Sequence, residues 1–163
     1  MKYQTIYSSP IGKILLTCSD VALSGLDFIE EEVYNDLKNK DELKNKSLIL
    51  RDAEKELDEY FQGKRKEFSV PITQSGTTFQ LSVWGALRTI PYGLVKSYFD
   101  IATVVGNPKA VRAVGMTNGK NPIAIIVPCH RVIGKNGKMV GYSSGIWRKE
   151  WLLNHEKKVL RKR

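Results

Sequence analysis

A break over residues 68–76, carrying Pro71 and Gly76, separates two stretches whose apolar residues follow different rules, and that contrast limits the possible fold more than any single motif. Before the break, residues 2–7, 12–19 and 22–28 read as strands, parted by the turn signals Ser9-Pro10-Ile11-Gly12 and Ser19-Asp20. Connections this short predict an antiparallel meander. Leu50, Ala53, Leu57, Tyr60 and Phe61 then recur at helical spacing, with Gly63 as a stop before the basic patch Lys64-Arg65-Lys66, so one amphipathic helix should cover the meander. Residues 30–46 carry many charges of both signs without apolar periodicity, which fits either a solvated helix or a mobile connection. After the break the pattern is helical. Thr77 and Gln80 are spaced as a capping box ahead of Phe79, Val83, Leu87 and Ile90, and Pro91-Tyr92-Gly93 ends that helix. Ser97 and Asp100 cap a shorter helix over residues 98–105, which stops at Gly106-Asn107-Pro108.

Pro108 suits the first turn of a third helix, in which Val111 and Val114 face the core while Lys109, Arg112, Ala113 and Met116 face outward. Two short helices joined by a tight Gly-containing turn have the outline of a helix-turn-helix. Small exposed side chains around one long cation would let the helix backbone approach DNA, with Arg112 reaching phosphate or base stack. An ordinary αα-hairpin with a solvated face fits the same pattern. The charge balance favours the first reading: 26 Lys and Arg against 17 Asp and Glu give a net charge of +9, which attracts polyanions, although a merely soluble basic protein has the same balance.

The 163 residues allow one medium domain or two small ones sharing a core. Cys18 and Cys129 are too far apart to staple a small secreted domain, and the opening Met1-Lys2-Tyr3-Gln4 lacks the apolar core of a signal peptide, so a reducing, intracellular setting is expected. No apolar run approaches the roughly 20 residues that span a bilayer. His130 and His155 are the only histidines and have no second cysteine nearby, so no metal site is expected. Cys18, inside a strand, reads as packing.

Cys129 reads differently. It lies in Pro128-Cys129-His130-Arg131-Val132, fed by the apolar run Ile123-Ala124-Ile125-Ile126-Val127, which delivers a thiol into the interior beside a base. Val127 is biased towards extended backbone by the following proline, and Pro128 fixes its own φ, so the segment presenting the sulfur is stiff. A thiol of pKa about 8.5 supplies little thiolate near neutrality, and burial raises it further, so a cation or proton acceptor must oppose that shift. His130 and Arg131 are the local candidates. A structural buried cysteine beside a surface His-Arg pair is the plain alternative.

Several further segments occur in one order: Pro91-Tyr92-Gly93, the run from Gly106-Asn107-Pro108-Lys109 through Arg112-Ala113-Val114-Gly115, Asn121-Pro122, Pro128-Cys129-His130-Arg131-Val132-Ile133, and Trp151-Leu152-Leu153-Asn154-His155-Glu156. Across residues 77–156 this ordered set resembles the O6-alkylguanine-DNA alkyltransferases, or methylated-DNA-protein-cysteine methyltransferases; the N-terminal half resembles them only in its strand-then-helix layout. The resemblance implies an α/β fold in which an N-terminal subdomain, residues 1–70, with a three-stranded antiparallel sheet and covering helix in a ribonuclease H-like layout, packs on a mostly helical C-terminal subdomain, residues 71–163.

It further implies a monomeric, single-turnover DNA-repair methyltransferase that needs no cofactor and works in the cytoplasm, or in the nucleus of a eukaryote. Its partner would be double-stranded DNA bearing O6-alkylguanine. Cys129 would accept the alkyl group as an irreversible thioether. His130 would deprotonate it through a water, because neighbours in an extended segment point to opposite faces. Glu156, on the inward face of the last helix beside Leu152 and Leu153, would orient the imidazole. Tyr98 would donate to the departing guanine, and Asn121 would tie the turn between recognition helix and active-site strand. Arg112 would fill the gap left by the flipped nucleotide, with Lys109 and Ala113 beside it on the DNA face. The carbonyls of Cys129 and Val132 and the amide of Ser143 would read the base, with Tyr142 as a pocket wall. Ser144 replaces a glycine of many relatives, which implies a narrower opening for bulky alkyl groups, and Asn118 replaces an apolar residue of some. A non-catalytic damage sensor on the same scaffold and, more remotely, a Cys-His hydrolase are the alternative functions. Sensors of this type replace the acceptor cysteine, and a hydrolase would have only His155 as a distant base.

Overall fold

Alternation in the first strands sorts their side chains between two faces. In the computed structural model, which describes residues 1–40, 43 and 47–162, β1 (Tyr3–Ser9), β2 (Gly12–Cys18) and β3 (Leu23–Ile29) form an antiparallel sheet in the order β1-β2-β3. Thr5 and Tyr7 pair with Leu16 and Ile14, which pair in turn with Leu26 and Phe28. All but Phe28 are buried, so one face of the sheet is core. Register shifts between Thr17 and Cys18 and brings Cys18 opposite Leu23. The outer edge of β3 is covered in part by the segment containing Pro71: Leu23 donates to the Pro71 carbonyl and accepts from Thr73, each at 2.8 Å.

Helix α1 (Glu31–Leu37) buries no residue, as its lack of apolar periodicity requires, and the rest of the charged stretch lies largely outside the described residues. Helix α2 (Leu48–Phe61) starts at Ser47, whose hydroxyl accepts from the Leu50 amide, and buries Leu50, Ala53, Leu57 and Tyr60. It packs against β1 and β2, and Tyr7 donates to Asp58 at 2.6 Å. Residues Met1–Gln74 form one compact unit and Ser75–Arg163 a second.

In the second unit α3 (Thr78–Leu87) and α4 (Tyr98–Val104) both begin with complete capping boxes, Thr77 with Gln80 and Ser97 with Asp100. Gly106, at φ +83°, ends the turn after α4 in a conformation that a side chain would strain. Helix α5 (Val111–Gly119) is shorter than expected: Pro108 and Lys109 lie in the preceding turn, and Ala110 is the N-cap. Val111, expected to face the core, is exposed at the first helical position. Val114, Thr117 and Asn118 form the buried stripe, and Trp84 of α3 donates to the Thr117 carbonyl at 3.0 Å. Short parallel strands β4 (Lys96–Ser97) and β5 (Val132–Ile133) pair with each other, and the long helix α6 (Ile146–Arg161) packs against the turn Cys129–Arg131. No helix among the described residues is long and apolar enough to cross a membrane.

Candidate active site

Residues 123–127 are a buried turn, where a strand was expected. Asn121 consumes the backbone groups that a strand would offer a neighbour: its Nδ2 donates to the Val127 carbonyl at 2.7 Å and its Oδ1 accepts from the Ile123 amide at 3.1 Å. Ile125 is held at φ +70°, a strained setting for a β-branched side chain. Cys129–Arg131 form a single 3-10 turn, so the expectation of an extended Cys-His segment is corrected. Cys129 is buried and His130 fully so.

The imidazole is fixed from one side. His130 Nε2 lies 2.7 Å from Glu156 Oε2, and both side chains are fully buried. Burial holds the imidazole pKa below its usual value, with Glu156 opposing, so the ring is neutral near pH 7. A neutral ring that donates from Nε2 to a carboxylate carries its free lone pair on Nδ1. That Nδ1 is buried and has no hydrogen-bond partner among the described residues. The arrangement is a base with one nitrogen committed and the other open.

Glu156 also accepts from Arg131 Nε at 2.9 Å, Arg131 Nη2 at 3.1 Å and the Gly93 amide at 3.0 Å. Burial alone would raise its pKa, but the hydrogen bonds and positive charge of its partners outweigh this and hold the carboxyl far below the ordinary range. Arg131 completes its contacts on the Ile90 carbonyl at 2.8 Å. It is therefore the counterion of Glu156, so of the two local candidates for acting on the thiol Arg131 is set aside.

The cation that acts on Cys129 is Lys149, which sequence reasoning missed. Lys149 is fully buried, and its Nζ donates to the Val140 carbonyl at 2.7 Å. Burial lowers its pKa to about 8, with the charge of Cys129 opposing. The Cys129 thiol is pushed up by burial and drawn back by Asn121, Lys149, its own backbone amide and the Tyr142 hydroxyl. The helical stripe Lys149, Leu152, Leu153, Glu156 was readable from the same spacing that placed Glu156 inward.

Tyr98 donates to the same Val140 carbonyl at 2.9 Å. Gly141, at φ +67°, passes so close that a Cβ there would stand 2.9 Å from the Tyr98 hydroxyl oxygen. Tyr142 is buried, and with Ser143, Gly141, Gly115, Met116, Gly119 and Lys120 it lines a cleft of about 380 Å³. The structure thus brings Cys129, His130, Glu156, Asn121, Tyr98 and Tyr142 into one hydrogen-bonded or electrostatic neighbourhood, with Val132 following the 3-10 turn. Arg112 and Ala113 stand exposed on the first turn of α5, with Lys109 in the turn before it.

With this geometry established, comparison with known proteins identifies the lineage. The description "6-O-methylguanine DNA methyltransferase, DNA binding domain" matches residues 78–158, and "6-O-methylguanine DNA methyltransferase, ribonuclease-like domain" matches residues 2–74. The chain belongs to the 6-O-methylguanine DNA methyltransferase family. A methylated-DNA--protein-cysteine methyltransferase of Methanosarcina acetivorans is 47% identical over 154 residues, covering 94% of this chain and 97% of the relative. The constitutive enzyme of Bacillus subtilis is 44% identical over 160 residues, covering 96% of each. The structure of Mycobacterium tuberculosis OGT in complex with DNA is similar with a TM-score of 0.85 and 43% identity, over 96% of this chain and 94% of that one. As a 6-O-methylguanine DNA methyltransferase family member, the chain has the mixed α/β organisation expected, including a resemblance in the N-terminal half that the sequence motifs alone did not carry.

Proposed function

We propose that the protein repairs double-stranded DNA by taking the alkyl group from O6-alkylguanine onto the sulfur of Cys129, once per molecule. The observation that carries this reading is the oriented base: His130 committed to Glu156 through Nε2, with its Nδ1 lone pair buried and open. A bridging water passes the thiol proton to Nδ1, since no hydrogen bond joins the sulfur to the ring. Lys149, Asn121 and Tyr142 favour the thiolate as it forms. The thiolate attacks the alkyl carbon in line; the C–S bond forms as the C–O6 bond breaks. Guanine leaves as its conjugate base and takes a proton at the position facing the Tyr98 hydroxyl, and the imidazolium left behind restores the proton balance through solvent. The product is a thioether, which offers no leaving group at neutral pH, so the molecule is consumed.

The substrate oxygen is shielded inside a duplex, so the nucleotide must rotate out, at a cost of a few kcal/mol that is lowest for a weakly paired base. Arg112, exposed on α5, enters the stack, with Lys109 on a neighbouring phosphate and small Ala113 allowing close approach; their exposure supports this reading. The carbonyls of Cys129 and Val132 and the Ser143 amide then receive the base, against Tyr142. Such a reagent acts as a monomer in the compartment that holds the DNA, the cytoplasm of a prokaryote.

Nucleoside analysis of duplex DNA carrying O6-methylguanine tests this. Guanine should be regenerated in an amount equal to the protein added and then stop. Regeneration well beyond one equivalent contradicts the proposal, as does binding without any regeneration, which would mark a sensor. His155, the distant histidine that a Cys-His hydrolase would need, stacks on Trp151 with ring centroids 5.0 Å apart.

A further inference from the structure

Buried polar side chains normally repay their desolvation with a full set of hydrogen bonds. Asn118 does not. It is 1% exposed on the inner face of α5, its Nδ2 donates to the Cys129 carbonyl at 3.3 Å, and its Oδ1 has no partner among the described residues. Its one acceptor does not depend on it: the Cys129 carbonyl also accepts from the Val132 amide. The amide cannot be turned over, because Oδ1 would then face a carbonyl oxygen. Beside it stands Tyr98, whose hydroxyl donates to the Val140 carbonyl at 2.9 Å; burial pushes the phenol pKa up and the Asn118 amide draws it back. The folded state therefore retains a half-satisfied amide where an apolar residue of the same size would pack without loss.

We propose that Asn118 is a positioning residue for alkyl transfer: from the helix that carries Arg112, it holds the peptide of the acceptor Cys129 and the phenol of Tyr98 in one frame. This rests on the proposed function above and deepens it. Arg112 and Asn118 are six positions apart on α5, so seating the exposed end of the helix on DNA fixes the amide at its buried face. Through that amide the nucleophile on one side of the alkyl carbon and the proton donor at the leaving base are aligned together. Alignment of this kind affects the rate of the bound complex and leaves its affinity alone. Asn121 braces the turn of residues 123–127; Asn118 braces the reacting pair.

The test is single-turnover transfer from duplex DNA containing O6-methylguanine, measured over a range of protein concentrations for the wild type, Asn118→Leu and Asn118→Asp, with thermal melting of each. In Asn118→Leu the saturating rate constant should fall about tenfold, the half-saturating concentration should stay the same, and the melting temperature should hold or rise. Asn118→Asp keeps the shape but has no donor and puts an acceptor beside the Cys129 carbonyl, so it should lose more rate than the leucine variant. Wild-type rate in both variants overturns the proposal. So does a leucine variant that fails to fold, or one whose rate and melting temperature fall together, since the amide is then structural. A wild type that transfers nothing defeats the function beneath the proposal, an outcome distinct from an active wild type matched by its variants.

Discussion

Among the described residues each unit buries one glutamate and one cysteine, and the two pairs are handled in opposite ways. In the N-terminal unit Glu56 accepts from the backbone amides of Ser69 and Val70 at 2.7 and 3.1 Å, with Arg65 4.0 Å away, and Cys18 rests against the Ser47 hydroxyl at 3.1 Å. In the C-terminal unit Glu156 is held by an imidazole and a guanidinium, and Cys129 lies under the influence of an ammonium and two polar side chains. A carboxylate satisfied by backbone amides fixes a loop and has no mobile proton to govern. One that accepts from an imidazole sets the tautomer and charge of that ring. Burial of a thiol is likewise not a sign of chemistry until something near it stabilises the thiolate.

The contrast should be widest at the cysteines. Cys129→Ala should abolish alkyl transfer while DNA binding persists, whereas Cys18→Ala should leave the rate per folded molecule unchanged; loss of transfer in the Cys18 variant, with folding intact, would erase the distinction. The glutamates come next. Glu156→Gln leaves the Arg131 guanidinium buried without its counterion and should cost about 3 kcal/mol in denaturant unfolding. The same variant should slow transfer by about a hundredfold, because the imidazole loses its orienting carboxylate. Glu56→Gln keeps an acceptor oxygen for both amides and should cost about 1 kcal/mol with no effect on rate.

The acid limb of stability sharpens this difference. His130 is held below the ordinary value of 6.5, so the unfolded chain takes up the proton first and stability falls as pH drops through that value. Glu156 is also depressed, so its contribution is complete above 4.5 and drains away as pH falls below it towards the folded value. The gap in unfolding free energy between wild type and Glu156→Gln should therefore narrow below pH 4.5.

Lys149→Met removes a buried charge whose solvation cost is only partly recovered, so melting near pH 7 should hold or rise. Alkylation of Cys129 by a neutral electrophile such as iodoacetamide should slow about tenfold at that pH, because each unit by which the thiol pKa rises cuts the thiolate fraction tenfold. Unchanged alkylation would remove Lys149 from the account. The smallest effect is expected at Ser144, which follows the cleft-lining Ser143 in sequence. Ser144, whose carbonyl accepts from Arg148 at 2.7 Å, stands where a narrower opening was expected. Ser144→Gly should raise the rate on benzyl adducts relative to methyl adducts by a few-fold, and equal selectivity in the two proteins would sink that idea.

What could be read from the sequence followed local chemistry. Both capping boxes are complete in four consecutive residues, and the strands before residue 30 carry their turns beside them, so these elements formed as expected. Cys129, His130 and Glu156 were accessible because a motif and a helical spacing pointed inward together. The run at residues 123–127 was misread because nothing local says that Asn121 will take the backbone bonds of a would-be strand. Pro108 fits a first helical turn as well as the turn before it, so local preference could not set the start of α5. Arg131 was one of two candidates for the group acting on its sequence neighbour Cys129, whereas its partner lies 25 residues away on α6. Lys149 was overlooked because a lysine is by default a surface residue, although its spacing from Leu152 and Leu153 was that of a buried position. A buried lysine and a half-satisfied asparagine break local rules, and such departures gather at functional sites.

The most direct measurement is peptide mass mapping after the protein is incubated with duplex DNA containing O6-methylguanine, with Cys129→Ala as control. The account predicts one added methyl group, on the peptide containing Cys129, with Cys18 unmodified and the control unchanged. A methyl group on any other residue, or an unmodified protein beside repaired DNA, would contradict it.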